Sequence, residues 1–129
     1  MWVLFCDLLN RVRAAFAEPV AWGQLLPVLV EAASHYRRHG VFNCLLSDGD
    51  WLFTCCTSKL AWITRRAPFG PACLRDVDVS VDFGSETTPD DVVTVIATEA
   101  LTSNERWQCY QPGEWRLWQR GECLATGQL

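Results

Sequence analysis

The sequence predicts an α+β fold, in which two N-terminal helices precede a mainly antiparallel set of strands. Three observations support this prediction. Apolar residues recur at helical spacing in the first part of the chain, as far as Tyr36. An Asp48-Gly49 step lies between two apolar runs, which is a strong signal for a β-hairpin. Short alternating or β-branched runs then follow, separated by Gly and Pro turns.

The first helix carries one apolar stripe, which we expect to be buried along its length. It ends before Glu18-Pro19, because the residue that precedes a proline avoids the α region. The stripe consists of Leu4, Phe5, Leu8, Leu9, Val12 and Phe16.

A second stripe predicts a second helix, with Pro27 in its first turn or at a kink. Gly40 is a suitable residue to follow its end. His35 and His39 are four residues apart, so a metal or catalytic pair is conceivable. We favour a solvated helix end, because no carboxylate or cysteine is placed locally to complete a site. The stripe consists of Trp22, Leu25, Leu26, Leu29, Ala33 and Tyr36.

The predicted hairpin pairs residues 41–47 with residues 51–56. Gly49 suits the turn, because glycine accepts a positive φ without steric cost. The first arm is apolar on both faces, and such strands are usually covered on both faces. We therefore expect helices on one side of the hairpin and another layer on the other side.

The remaining strands are predicted from their residue patterns. Residues 59–64 form a strand, and the strict alternation over 76–83 predicts a half-exposed or edge strand. The β-branched run 93–98 predicts a central strand. Arg120-Gly121 turns the alternating segment Glu114–Gln119 back into a closing hairpin that includes residues 122–125.

Composition excludes several classes of protein. The net charge is −4 and no basic stripe is present, which argues against nucleic-acid binding. No apolar stretch reaches membrane-spanning length. The seven cysteines include no C-x-x-C pair, so neither a zinc site nor a disulfide framework is implied. We expect reduced, mostly buried thiols in a cytoplasmic protein, with Cys55 and Cys56 on opposite faces of a strand.

The residues alone indicate no active site, metal site or cofactor site. The sequence lacks a G-x-S-x-G motif, a P-loop, a dinucleotide fingerprint and an H-E-x-x-H motif. A Cys–His nucleophile pair has no local signature in its favour. Arg65 and Arg66 are suited to holding a carboxylate or a phosphate, although we favour a solvated strand end for them.

Several long blocks nevertheless resemble one protein family. Residues 40–49 read GVFNCLLSDG, residues 62–70 read WITRRAPFG, and residues 87–98 read TTPDDVVTVIAT. Residues 112–117 continue the match as PGEWRL, and Phe5-Cys6 resembles a helix that precedes these blocks. In this order they resemble the C-terminal half of the small bacterial class II glutamine amidotransferases, which are N-terminal nucleophile hydrolases.

The resemblance implies a partial αββα sandwich and, for an intact domain, hydrolysis of L-glutamine to glutamate and ammonia. In that family an N-terminal Cys attacks the glutamine side-chain amide, and its own α-amino group is the base. An Asn and a Gly supply the oxyanion hole, while an Arg and an Asp hold the substrate. All of these motifs belong to the first half of the family domain.

None of those motifs is present in this chain, in which residue 2 is Trp. No catalytic residue can therefore be assigned, and Cys6 matches a helix residue that lacks a free α-amine. We interpret residues 1–129 as the C-terminal portion of the domain, inactive alone, with the N-terminal half or a second copy as partner. The alternative is a non-catalytic scaffold or partner-binding module.

A half-domain is expected to leave strand edges unpaired and an apolar face in water. Several of the seven Trp and the strand around Val92–Ala97 are the candidates for this exposure. Such a surface favours association with a partner.

Overall fold

The computed structural model describes residues 2–84 and 87–129. Helix α1 spans Trp2–Ala15 and helix α2 spans Trp22–Tyr36, followed by a 3₁₀ turn at Arg37–His39. The strands that follow are β1 (Cys44–Ser47), β2 (Leu52–Cys55), β3 (Ala61–Arg66), β4 (Pro71–Cys73), β5 (Ser80–Asp82), β6 (Val92–Ala97), β7 (Gln108–Cys109), β8 (Glu114–Gln119) and β9 (Glu122–Gln128).

The strands form a four-stranded sheet in the order β1-β2-β8-β9, a three-stranded sheet β6-β3-β7, and a small β4-β5 pair. All of the strand pairs in these sheets are antiparallel. The predicted α+β class, with two helices ahead of mainly antiparallel strands, is confirmed.

The helices pack on one face of the four-stranded sheet, and the three-stranded sheet packs on its other face. Phe53 and Leu117 join Leu29 of α2 in the core beneath the helices. Trp118, the neighbour of Leu117 in β8, contributes to the second core with Trp62 of β3. Because successive residues of a strand face opposite sides, β2 and β8 contribute to both cores.

Three polar side chains satisfy one another between the two sheets. The hydroxyls of Thr54 and Tyr110 lie 2.6 Å apart, and Trp118 Nε1 donates to both at 3.1 Å. Burial raises the pKa of Tyr110 to about 12. This shared hydrogen bonding removes most of the cost of burying three polar groups.

The predicted Asp48-Gly49 hairpin is present, but its paired arms are shorter than predicted and span Cys44–Ser47 and Leu52–Cys55. Ser47 pairs with Leu52 at its base, and Gly49 has a φ of +102°. The Asp48 carboxylate accepts hydrogen bonds from the backbone N–H groups of Asp50 at 2.9 Å and Trp51 at 3.2 Å. The side chain of Asp48 thus closes the turn, and the backbone of Gly49 permits it.

Replacement of Gly49 by Val is expected to lower the free energy of unfolding by about 1–2 kcal/mol, because a β-branched residue resists positive φ. No heavy atom lies within 4 Å of the added Cβ, so backbone strain alone is measured. Gly70→Val is the matched control, since that site is also open but has no positive φ. Urea denaturation of both variants checks this. Equal effects at the two glycines would mean that the Gly49 backbone carries no strain.

Two predictions were wrong, one about the covered faces of β1 and one about the position of β6 in its sheet. The edge strand β1 has its outward side chain Leu45 51% exposed, so it is covered on one face only, whereas the neighbouring β2 is covered on both. The β-branched strand β6 lies at an edge of its sheet and, among the described strands, pairs only with β3. β-branched residues report a pleated, half-buried surface, which an edge strand also offers.

The alternating segment 76–83 forms a strand only at Ser80–Asp82. Its exposed valines, Val77 and Val79, precede that strand and have no second layer to cover them. In α2, Pro27 is the sixth residue and lies in the second turn, not the first. Gly40 follows the 3₁₀ turn with a φ of +146° and a ψ of −164°, a backbone conformation that favours glycine but is not the left-handed one typical of the predicted C′ position.

The stripe of α1 is buried only in part. Leu8 is the buried residue of this helix, whereas Leu4 and Phe5 are exposed beside Trp2 and Val3. The periodicity located the apolar face correctly, but the first turn extends past the residues that could cover it. Neither α1 nor any other helix in the described ranges has the length and apolarity that a membrane crossing requires.

The expectation of mostly buried thiols was also wrong, because only Cys55 and Cys56 are buried. The pair does face opposite sides of the sheet, as predicted, and joins different cores. All seven cysteines are free thiols.

Candidate functional site

The most prominent open surface is a groove between the first turns of α1 and the segment that leads into β1. We refer to it as the α1–β1 groove. Its volume is about 510 Å³. Its lining consists of Trp2, Leu4, Phe5, Leu8, Tyr36, Val41, Phe42, Asn43, Cys44, Leu45 and Leu46.

The groove is apolar because the first turn of α1 carries part of the apolar stripe and is left exposed beside the sheet edge. Trp2 is 78% exposed and Phe5 is 40% exposed on the helix wall. Val41 is 77% exposed on the opposite wall. Large apolar side chains that remain together in water typically mark a surface that binds another chain.

One lining residue of the groove, Tyr36, belongs to a polar cluster with Asp7 and Arg11. Tyr36 Oη donates to Asp7 Oδ2 at 2.6 Å, and Arg11 Nε donates to the same oxygen at 2.6 Å. The hydrogen bond from Tyr36, followed by that from Arg11, holds the pKa of Asp7 below its ordinary value. Burial raises the pKa of Tyr36 to about 12. Asp7 therefore stays ionised and satisfied, which makes it an anchor between the helices and a poor general base.

The groove is continuous with an open sheet edge. Strand β1 is the first strand of its sheet and pairs with β2 alone among the described strands. An edge strand presents unpaired N–H and C=O groups that can bind an extended segment. The α1–β1 groove thus combines a backbone template with an apolar wall, which is the geometry of strand addition.

The predicted exposure of several tryptophans was wrong. Trp2 is exposed, but the other six are buried or half-buried, because they fill the two cores and the loop contacts. The predicted exposure around β6 is borne out at Val93, which is 45% exposed on an edge strand. The groove was missed from the sequence, although the apolar Trp2-Val3 pair beside the α1 stripe was a signal for it.

The structure brings no catalytic constellation together around Cys6 or the histidines. Cys6 is exposed within α1, where its nitrogen is part of the helix backbone. The rings of His35 and His39 meet edge to face, with centroids 5.0 Å apart, on an exposed helix end, as favoured above. Within residues 2–84 and 87–129, no three His, Cys, Asp or Glu side chains are placed to hold a metal ion. That the chain contains no catalytic residue stays a prediction.

Arg65 and Arg66 are paired with carboxylates of the chain itself. Arg65 Nε and Nη2 donate to the two carboxylate oxygens of Glu105, each at 2.6 Å. Arg66 also binds Glu122 through two hydrogen bonds, from Nη1 and Nη2, and thereby links the two sheets. The solvated-end interpretation was wrong for Arg65, because both side chains of its pair are only 15–16% exposed. Both guanidiniums are thus engaged by carboxylates of the chain itself.

Glu105→Gln is expected to destabilise the fold at neutral pH by about 1.5–3 kcal/mol, the usual worth of a charged hydrogen-bonded pair. Hydrogen bonding from Arg65 lowers the pKa of Glu105 in the folded state. Its contribution is therefore present above the unfolded carboxyl pKa of about 4.3 and is lost as the pH falls through the lower folded value. Urea denaturation at several pH values should show the difference from the parent shrinking in acid.

The matched control for that prediction is Glu122→Gln. Its ion pair with Arg66 is also bidentate, but the side chains of Arg66 and Glu122 are 59% and 46% exposed. Exposed pairs contribute about 0–1 kcal/mol. An effect at Glu122 as large as that at Glu105 would show that burial does not set the strength of these pairs.

Comparisons with known proteins now bear on this geometry. Residues 2–129 match a family model described as class II glutamine amidotransferases. The chain is 50% identical over 119 residues to YafJ of Escherichia coli (strain K12), which is described as a candidate glutamine amidotransferase. The match covers 92% of this chain and 47% of YafJ. A Haemophilus influenzae protein with the same description is 30% identical over 121 residues, which cover 94% of this chain and 41% of that protein.

A solved structure is also similar. The 2.0 Å crystal structure of a predicted glutamine amidotransferase from Pseudomonas aeruginosa PA01 superposes with a TM-score of 0.86 at 69% identity. The match covers 95% of this chain and 49% of that one. The chain thus spans about half the length of the relatives it matches. Because the family model matches nearly every residue and agrees with the fold, the chain belongs to the class II glutamine amidotransferases.

Proposed function

We propose that this chain forms one part of a glutamine amidotransferase domain that hydrolyses L-glutamine to glutamate and ammonia. In this proposal the N-terminal Cys nucleophile, its α-amine and the oxyanion-hole residues lie outside residues 1–129. The α1–β1 groove and the unpaired edge of β1 receive that complementary part. A cytoplasmic location suits the free thiols of the chain, and its net charge of −4 disfavours nucleic acid as a partner.

The observation that carries the proposal is the α1–β1 groove itself. Leu45 is half-exposed on the edge strand β1, and the exposed apolar first turn of α1 lies beside the same edge, so an added strand would bury surface from both. Buried apolar area contributes about 25 cal/mol per Å², and a strand also satisfies the free edge groups of β1. A complementary chain segment is therefore the occupant that the chemistry of the groove fits best.

The test is to combine this chain with the part of the Pseudomonas aeruginosa relative that it does not cover, about half of that protein. Because this chain is 69% identical to the part of that protein it matches, we expect it to replace that part in contact with the remainder. We expect the two chains to copurify and to release ammonia from glutamine, whereas this chain alone should release none. Replacement of the N-terminal Cys of the complement should abolish the activity.

Two variants of this chain sharpen the result. Leu45→Lys should weaken copurification, because it places a charge in the apolar groove on a strand edge. Val79→Lys, at a site equally exposed but outside the groove, is the control. Ammonia release by this chain alone that disappears on Cys6→Ala would overturn the proposal. Failure of the two parts to associate would favour the non-catalytic scaffold.

A further inference from the structure

Cys44 and Cys55 lie directly opposite each other in the β1–β2 hairpin. They are Cα partners in the antiparallel register, and both side chains face the helix layer. Directly opposed residues of an antiparallel pair have Cα atoms about 4.5–5.5 Å apart. That separation lies within the range of about 4.4–6.8 Å that a disulfide needs. The Cα separation typical of this register therefore admits a disulfide between the two residues.

The two thiols differ in access and in acidity. Cys44 lines the α1–β1 groove and is half-buried, whereas Cys55 is fully buried in the core beneath the helices. The hydrogen bond from Cys55 lowers the pKa of Cys44. The same interaction raises the pKa of Cys55, and its burial acts in the same direction. The accessible member of the pair is thus the one that forms the thiolate, which is the reactive species.

We propose that Cys44 and Cys55 form a redox pair that closes a cross-strand disulfide when a hydroperoxide enters the α1–β1 groove. Cys44 acts as the attacking thiolate, and Cys55 acts as the resolving thiol. The site takes a small two-electron oxidant, because the groove leads to Cys44 and leaves Cys55 covered. This inference concerns the chain with its α1–β1 groove open, before the complementary part proposed above fills it, and its test uses this chain alone.

The chemistry balances in two steps. The Cys44 thiolate attacks one peroxide oxygen, and the O–O bond breaks. Hydroxide departs, and Cys44 becomes a sulfenic acid. Cys55 sulfur then attacks the Cys44 sulfur, its proton passes to the departing oxygen, and water leaves as the S–S bond forms. Overall the two thiols lose two electrons and two protons, and hydrogen peroxide is reduced to two waters.

The neighbouring Cys56 provides a natural comparison. It follows Cys55 in the chain, but its side chain lies in the core between the two sheets. Adjacent residues of a strand face opposite sides, so Cys56 cannot reach Cys44 in the folded hairpin. The sequence places two thiols next to each other, and the fold presents only one of them to Cys44.

The proposal is tested on the full chain with hydrogen peroxide as the probe. After oxidation the free thiols are alkylated, and the protein is digested without reductant by trypsin and by a protease that cleaves before Asp. The segments 39–47, with Cys44, and 50–59, with Cys55 and Cys56, then separate unless a disulfide joins them. We expect a joined species that has lost two hydrogens and that reductant splits. Fragmentation should show the species bridged at Cys55 to be roughly tenfold or more abundant than the species bridged at Cys56.

Variants decide between the two neighbours. Cys56→Ser should retain the bridge, whereas Cys55→Ser should lose it and accumulate a Cys44 sulfenic acid that dimedone traps. Oxidation of the parent chain in concentrated urea, where the facing geometry is gone, should remove the preference for Cys55. Segments that stay separate at a peroxide dose that oxidises the exposed Cys6 would overturn the proposal. A bridge from Cys44 to Cys56 in the folded parent chain would overturn it as well.

Discussion

Replacement of Leu117 by Ala is expected to lower the free energy of unfolding by about 3–5 kcal/mol. Leu117 has no exposed surface and lies on β8, a central strand of the four-stranded sheet. It faces the helix layer beside Phe53, its Cα partner in β2. The substitution loses the transfer free energy of the removed atoms. It also leaves a cavity, which the paired strands on both sides cannot collapse to fill, and this cavity adds to the loss.

Urea denaturation followed by tryptophan fluorescence measures this effect, because buried Trp118 neighbours the site in β8. Leu124→Ala is the control, since Leu124 lies on the adjacent strand β9 and is 42% exposed. Surface substitutions of this kind usually change stability by about 0.5 kcal/mol or less. A domain has only about 5–15 kcal/mol in total, so Leu117→Ala removes a large share. Equal losses at the two leucines would contradict the assignment of Leu117 to the core.

Features fixed by local chemistry could be predicted from the sequence. The Asp48-Gly49 turn follows from residues that are adjacent in the chain, because the Asp side chain and the Gly backbone close it without help from the rest of the fold. The Arg120-Gly121 turn is similar, with φ values of +50° and +79° at its two residues. Helical periodicity likewise located α1 and α2.

Features fixed by distant partners could not be predicted. Arg65 finds Glu105 forty residues later in the sequence, and no pattern near Arg65 names that partner. The position of β6 at a sheet edge depends on how many strands lie beyond it, which its β-branched composition does not encode. The same limit applies to the groove. Periodicity placed Phe5 on the apolar face of α1, but only the packing reveals that 40% of it stays exposed.

The uncovered groove leads to the second large expected effect, on the state of the chain in solution. Purified alone, the chain should self-associate with rising concentration and should bind a hydrophobic dye. The physical reason is that the α1–β1 groove leaves Trp2, Phe5 and Leu45 in water next to an unpaired strand edge. Either feature alone is tolerated on monomers, but together they offer both apolar area and a backbone template for a second chain.

The double variant Phe5→Ser, Leu45→Lys should reduce dye fluorescence by roughly half or more and shift elution toward the monomer, because a lysine on a strand edge opposes pairing. Val79→Lys adds the same charge at a site 50% exposed, outside the groove, and should leave both properties unchanged. Size-exclusion chromatography over a concentration series, with dye titration in parallel, measures both. If the parent chain is a cooperative monomer that binds no dye, the groove is closed in solution. The chain would then need no complement for its stability, and the scaffold alternative would become the better account of its function.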